Sequence, residues 1–209
     1  MHFKRHSLGN FLFFFFIGLN GAAGCDLVDI TTISPGIRID IKYASTDNFT
    51  HKKVYDREVC YLRREVAHAL ARVQKELESM GLGLLIWDGY RPVAVQRIFW
   101  DLVPDERYVM PPTKGSRHNR GAAVDLTLVT KDGKKLLMPT DFDDFSDKAH
   151  ADYRDLPQEA IKNRELLKTV MEKHGFKVLR WEWWHFDYKD WQRFDLLDVS
   201  FSDLAAAQA

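Results

Sequence analysis

A helical repeat followed at once by a short apolar run most constrains the fold of this chain. In residues 61–81, apolar side chains recur at steps of three and four and Gly81 ends the pattern; the repeat comprises Leu62, Val66, Leu70, Val73, Leu77 and Met80. This spacing is typical of an amphipathic helix that buries one face. Residues 82–88 (LGLLIWD) then have the length and composition of a buried strand. The two patterns together predict helices packed on a sheet.

The remaining patterns mix helices and strands without a regular βαβ rhythm. Further strands are predicted at IRIDIKY (37–43), VDLTLV (124–129) and the pair FKVLR and WHFDY, with a hairpin turn at KDGK (131–134) from which KLLM returns. Further helices are predicted from Pro92 to about Leu102 and over 157–174, separated by a loop at 103–118. We therefore predict one α+β domain with a small antiparallel sheet packed against helices, and a core of about residues 37–188.

Charge and composition exclude several classes of function. The chain has 209 residues, 45% of them hydrophobic, and its 30 Lys and Arg balance 30 Asp and Glu. Without a basic excess we expect no nucleic-acid partner.

The first 24 residues differ from the rest and predict a secretory signal. Lys4 and Arg5 precede a short apolar run, FLFFFFIGL, and small residues follow it. The run is too short to cross a bilayer comfortably, which takes ~20 residues. A buried N-terminal helix or strand is the alternative. We expect an exported protein, in the periplasm or cell envelope, with residues 25–209 as the mature domain.

The exit of this leader, Ala-Ala-Gly-Cys25, resembles the bacterial lipoprotein signal, in which the cysteine carries lipid. Ala22 stands where that pattern usually has Leu, and plain cleavage remains the alternative. Lipid on Cys25 would provide the only membrane attachment we expect. Otherwise Cys25 and Cys60, the two cysteines of the chain, could form a disulfide.

The stretch SRHNRGAAVDLTL, together with a later EWWH, predicts a catalytic zinc site. His118 lies in a polar loop and Asp125 in the strand that follows, where a carboxylate needs compensation. A bend at Gly121 allows the two to meet. With His185 they form two histidines and one carboxylate, the ligand set of a catalytic zinc that keeps a fourth position for water.

Glu182, three residues before His185, is then the predicted general base and acid. We expect the surrounding tryptophans (Trp181, Trp183 and Trp184) to fix the backbone and keep the pocket dry, although at least one should be plain core. A second Glu-x-x-His, Glu65 to His68, permits a di-iron helix bundle as an alternative. His68 lies off the apolar stripe of its helix, so it should face solvent.

These motifs, with IWDGYRP and YASTDNFT, resemble the zinc D-alanyl-D-alanine dipeptidases, metallopeptidases that share a fold with the hedgehog signalling domain. The resemblance runs from about Ile37 to Tyr188. It implies one Zn²⁺ per chain and hydrolysis of the small-molecule substrate D-Ala-D-Ala. It assigns the zinc to His118, Asp125 and His185 and the acid/base role to Glu182.

The same resemblance implies further roles. Arg91 would stabilise the transition state, because a fixed guanidinium favours the oxyanion formed when water attacks a carbonyl. Asp143 would hold the substrate ammonium, with Ser116 and Tyr43 as its neighbours. Two alternatives share the metal centre: a peptidoglycan D,D-carboxypeptidase with a wider cleft, and a non-catalytic wall-binding domain. Intact Glu182 and Arg91 argue against the second.

Overall fold

The computed structural model describes residues 26–208, which form seven strands and five α-helices. The strands are β1 (Leu27–Asp29), β2 (Arg38–Ile39), β3 (Tyr61–Arg63), β4 (Leu82–Asp88), β5 (Ala123–Thr130), β6 (Phe176–Leu179) and β7 (Glu182–Tyr188). The helices are α1 (Ile30–Ile33), α2 (Arg64–Glu78), α3 (Val93–Leu102), α4 (Gln158–Lys173) and α5 (Phe201–Gln208).

Five of the strands form one mixed sheet in the order β2-β4-β5-β7-β6. All neighbours in it are antiparallel except β2 and β4, which are parallel. Parallel strands need a long crossover, and here the chain between them contains α2. Strands β1 and β3 pair separately as an antiparallel ribbon. The α+β prediction is confirmed, with one parallel pair in place of a purely antiparallel sheet.

The helix predicted from the apolar repeat is confirmed as α2. Its apolar side chains from Val66 to Leu77 are fully buried, whereas Met80 lies beyond the helix end and is 47% exposed. The first residues of the predicted pattern, Tyr61–Arg63, form β3 instead. His68 faces solvent as expected, which removes the di-iron alternative.

Two predicted strands are shorter than expected. Only Arg38–Ile39 of IRIDIKY pairs with a neighbour, and the chain then turns through a 3-10 helix at Lys42–Ala44. KDGK does form a turn, with Gly133 at a φ of 90°. The KLLM segment after it returns through only one bridge to β5, between Lys135 and Val129.

The core is longer than the predicted range of 37–188. Leu27 and Ile30 at the start, and Phe201 and Leu204 at the end, are buried with the rest. Cys60 is buried and forms no disulfide within residues 26–208, whereas Cys25 and the predicted leader lie outside the described residues, so the Cys25–Cys60 alternative stays a prediction. Within residues 26–208, no helix has the length and apolarity that a membrane span requires.

Candidate metal centre and active site

Three neighbouring strands place a row of polar side chains across the middle of the sheet. Asp88 at the end of β4 is opposite Asp125 of β5, which is opposite His185 of β7. The register between β4 and β5 shifts between Ile86 and Asp88. The row is therefore set by strand pairing and not by proximity in the sequence, since Asp125 and His185 are 60 residues apart.

An irregularity in β7 brings Glu182 beside His185. Residues three apart on a regular strand point to opposite faces of the sheet. Here Val178 pairs with Phe186, but the next residue, Leu179, pairs with Glu182. Residues 183–185 of β7 therefore have no paired residue on β6 and form a bulge. Glu182 Oε2 consequently lies 3.8 Å from His185 Nδ1. The bulge therefore explains how Glu182 and His185, three residues apart on one strand, lie on the same side of the sheet.

His118 is held by a short 3-10 turn at His118–Arg120. Gly121 ends that turn with a φ of 65°, and a side chain at this position would collide with Leu27. Asn119 fastens the turn, since its amide donates to the carbonyl of Arg91 at 2.8 Å and its oxygen accepts from the Ser116 N–H at 2.7 Å. The predicted bend at Gly121 is thus confirmed.

His118, Asp125 and His185 converge on one point, and all three are buried. His118 Nε2 lies 3.1 Å from His185 Nδ1 and 3.3 Å from an oxygen of Asp125, whose other oxygen lies 2.9 Å from His185 Nδ1. Ligand atoms at tetrahedral angles around a zinc ion, about 2.0–2.1 Å from it, are about 3.3 Å apart. The three donor atoms therefore have the spacing that a tetrahedral zinc requires.

The second nitrogen of each imidazole is already occupied. His118 Nδ1 donates to the Gly89 carbonyl at 2.7 Å, and His185 Nε2 donates to Asp187 at 2.9 Å. In neutral rings the two remaining nitrogens, His118 Nε2 and His185 Nδ1, face each other with their lone pairs, the arrangement of two metal ligands. Burial lowers the pKa of His185, but Asp187 and Asp125 raise it by more, so this pKa lies well above its usual value and the ring binds a proton strongly. Zinc binding replaces such a proton.

Glu182 is a buried carboxyl whose one ion pair within residues 26–208 is the 3.8 Å approach to His185. Burial raises its pKa to about 8, and the nearby carboxylates of Asp125 and Asp143 add to the effect, while His185 and Arg91 oppose it. A bound dication would lower this pKa again. The carboxyl is thus placed to exchange a proton near neutral pH.

Arg91 is fixed by a buried network. Its Nη2 and Nε donate to Asp88 Oδ2 at 2.6 and 3.1 Å, and its Nη1 donates to Gln96 at 3.0 Å. Asp88 also accepts from the Tyr55 hydroxyl at 2.8 Å and from the Gly89 N–H at 2.9 Å. The guanidinium has no freedom to move away from the cavity that it lines.

All eight residues predicted for the site within the described range line one cavity of about 220 Å³. They are Tyr43, Arg91, Ser116, His118, Asp125, Asp143, Glu182 and His185. Pockets for drug-sized ligands usually have about 300–1,000 Å³. The cavity therefore suits a small ligand.

Asp143 closes one side of this cavity. Its carboxylate accepts from the Tyr43 hydroxyl at 3.2 Å, and its backbone has a φ of 60°, a left-handed conformation that Asp tolerates better than most residues. Burial and the charge of Asp125 raise its pKa to about 8, against the opposing effects of Arg91 and Tyr43. Such a carboxyl gains most from a ligand that brings its own positive charge.

The tryptophans of WEWWH divide into two kinds. Trp183 is fully buried and donates from its indole to Thr140 at 2.9 Å, so it is part of the core. Trp181 and Trp184 line the cavity beside Glu182. The expectation that at least one tryptophan is plain core is confirmed, and the expectation that the others keep the pocket dry stays a prediction.

Comparison with known proteins decides the family. A family model described as D-ala-D-ala dipeptidase, Peptidase_M15, matches residues 23–206. The chain belongs to this family. The chain is therefore a metallopeptidase with zinc as its cofactor, as the resemblance predicted.

Individual relatives agree with the family match. The chain is 39% identical over 177 residues to the D-alanyl-D-alanine dipeptidase of Escherichia coli K12, which covers 85% of this chain and 92% of that protein. It is 35% identical over 176 residues to the D-alanyl-D-alanine dipeptidase of Enterococcus faecalis V583, covering 74% and 87%. Among solved structures, the LdcB LD-carboxypeptidase is 20% identical with a TM-score of 0.45, covering 79% of this chain and 69% of that one.

Sequence reasoning missed the residues that hold this dipeptidase-family site in place. Asp88, Gln96 and Asn119 fix Arg91 and the His118 turn, and Asp187 orients His185. Asp88 and Asp187 each lie within three residues of a predicted site residue, Arg91 or His185, and this closeness was the only available signal.

Proposed function

We propose that this chain hydrolyses D-alanyl-D-alanine to two D-alanines, with His118, Asp125 and His185 as its zinc ligands. The observation that carries the proposal is the pair of imidazole nitrogens that face each other, 3.1 Å apart and beside a carboxylate, on the wall of a small cavity. The two relatives named above, at 39% and 35% identity, are both D-alanyl-D-alanine dipeptidases, and this supports D-alanyl-D-alanine as the substrate.

The donor set suits zinc in a catalytic role. Two imidazoles and one carboxylate leave one position of a tetrahedral ion open, whereas a structural zinc site is usually closed by four ligands. When bound, zinc supplies a Lewis acid that polarises a carbonyl and acidifies water at that open position.

Glu182 serves as the general base and then the general acid. It lies beside His185 but is not one of the three converging donors. Its carboxylate takes a proton from the attacking water, and the resulting carboxylic acid delivers that proton to the leaving amine. The apolar walls supplied by Trp181 and Trp184 limit the access of bulk water to this transfer.

Arg91 stabilises the negative charge that develops on the substrate oxygen. The salt bridge with Asp88 and the hydrogen bond with Gln96 hold the guanidinium in place before the substrate arrives. No reorganisation is then needed during the reaction, and this is the main source of electrostatic catalysis.

Asp143 binds the free ammonium of the dipeptide, with the Tyr43 hydroxyl beside it and Ser116 on the wall of the same cavity. The ammonium of the dipeptide would form an ion pair with this half-buried carboxylate and so offset the effects of burial and of Asp125 that raise its pKa. A substrate with an acylated amine would leave the carboxylate unpaired, and a site built for a polar group rejects the analogue that lacks it. This preference distinguishes a dipeptidase from a carboxypeptidase.

One assay tests the function and its nearest alternative. The zinc-loaded protein is incubated with D-Ala-D-Ala, N-acetyl-D-Ala-D-Ala and a stem pentapeptide, and released D-alanine is measured. We expect cleavage of the free dipeptide and little of the other two. Equal cleavage of the acetylated substrate would establish a pocket open at that end, and the D,D-carboxypeptidase activity would then replace the dipeptidase activity. His118→Ala and His185→Ala should each lose bound zinc.

We also propose that residues 1–24 direct export and that Cys25 becomes a lipid anchor of the mature chain. Lys4 and Arg5 before the apolar run, and the small residues before Cys25, support this. Fractionation of wild type and Cys25→Ser tests it. Full-length protein in the cytosol would refute export, and identical soluble recovery of both proteins outside the cytosol would refute only the anchor.

A further inference from the structure

A free dipeptide carries an ammonium and a carboxylate, and the site residues assigned above pair with only the ammonium. Asp143 accounts for the ammonium, but no group has yet been assigned to the C-terminal carboxylate. If the chain hydrolyses the dipeptide as proposed, a cation of the cavity wall is expected to meet that carboxylate.

Three arginines line the cavity, and two of them are already engaged. Arg91 donates three hydrogen bonds, to Asp88 and Gln96. Arg107 is held by Asp105 through three hydrogen bonds of 2.6 to 3.1 Å. Neither can turn to a new anion without losing those contacts.

Arg117 is different. Within residues 26–208 its guanidinium donates no hydrogen bond, and its buried Nε has no hydrogen-bond partner. Its one ion pair there is with Asp187, whose Oδ2 lies 3.4 Å from Nε. The guanidinium stacks over the ring of Trp191 at 4.7 Å, and the side chain is 27% exposed. Arg117 is therefore oriented by an aromatic face while its donors remain available.

The position of Arg117 also suits the far end of a bound dipeptide. The loop that carries Asp143 packs against the start of β7, through the Trp183–Thr140 hydrogen bond and the contact between Phe142 and Trp184. Arg117 instead meets the other end of β7, at Asp187. The metal ligand His185 lies between these two ends.

We propose that Arg117 binds the C-terminal carboxylate of the substrate, so that the dipeptide spans the metal centre between Asp143 and Arg117. A guanidinium fork matches a carboxylate in a bidentate geometry. Arg117 is then a determinant of specificity, because it makes the site select substrates in which the residue after the scissile bond carries a free C-terminal carboxylate.

The test compares D-Ala-D-Ala with D-alanyl-D-alaninamide, which lacks the carboxylate charge. Wild type, Arg117→Gln and Arg117→Lys are assayed with zinc bound, and zinc content is measured in each. We expect Arg117→Gln to lower kcat/KM for the free acid roughly 10- to 150-fold, the size of a charge-assisted hydrogen bond. Cleavage of the amide should change little, and Arg117→Lys should recover part of the loss. Arg107→Gln is the matched control, an arginine of the same cavity that should not change the preference.

Each alternative gives a different result. If Arg117 only balances Asp187 and thereby positions His185, Arg117→Gln will reduce cleavage of acid and amide by the same factor, and the inference is overturned while the dipeptidase function stands. If wild type cleaves the amide as well as the acid, the inference is also overturned. If wild type cleaves neither, the proposed function itself fails. Retained cleavage of the amide by Arg117→Gln shows that the variant is folded.

Discussion

Replacing Asp88 by Asn should destabilise the protein strongly, although the two side chains have the same shape. Asp88 is fully buried and accepts four hydrogen bonds, from Tyr55, from the Gly89 N–H and twice from Arg91. The substitution leaves the buried guanidinium of Arg91 without its counter-charge. Breaking one partner of a buried ion pair costs about 3–5 kcal/mol. Domains are typically stable by about 5–15 kcal/mol, so a large part of the stability would be lost.

The measurement is the free energy of unfolding from urea titration, followed by tryptophan fluorescence, with zinc and with a chelator. Asp105→Asn is a matched control, because Asp105 pairs with Arg107 at the same 2.6 Å distance as Asp88 with Arg91. Both control side chains are solvent-exposed to a large extent, at 35% and 56%, and such pairs contribute little measurable stability. Equal losses in the two variants would refute the reasoning, because burial would then not set the cost.

Three further outcomes are expected. Glu182→Gln should keep zinc but lower kcat roughly 10²–10⁴-fold; near-normal turnover would assign proton transfer to another group. Asp187→Ala should weaken zinc binding roughly 10–100-fold in chelator competition, because the His185 ring loses its acceptor; unchanged affinity would contradict that role. In the zinc-free protein, the pKa of Asp143 is raised to about 8, so between about pH 4 and pH 8 the folded state keeps a proton that the unfolded chain has released, and stability falls as pH rises. The melting temperature of Asp143→Asn should therefore rise relative to wild type from pH 5 to pH 8, and a constant difference would count against the raised pKa.

The parts of the site predicted from sequence are those where residue type alone is diagnostic. Two histidines, an aspartate and a glutamate at the spacing of SRHNRGAAVDLTL and EWWH favour catalytic zinc, and the structure brings His118, Asp125 and His185 together. The helix α2 was likewise predictable from its helical period, and the strand β4 from its short continuous apolar run.

What could not be predicted depends on pairing between distant strands. The bulge that turns Glu182 toward His185 exists because β6 pairs with both ends of β7, and no local pattern in EWWH marks it. IRIDIKY alternates like a strand, yet it leaves the sheet after Ile39 and turns into a 3-10 helix that buries Tyr43 at the cavity. Tertiary contacts override local propensity at both places.

The order of strands in the sheet has a consequence for how activity arises during folding. β7 lies between β5 and β6, and it supplies His185 and Glu182 from a part of the chain more than 50 residues after β5. Contacts of such separation form late, because closing the intervening chain costs entropy before any bonds repay it. A chain in which β7 has not yet docked on β5 brings together at most His118 and Asp125, too few ligands for a catalytic zinc. Hydrolysis therefore requires the hairpin of β6 and β7 to be docked on β5, because only then are all three metal donors together.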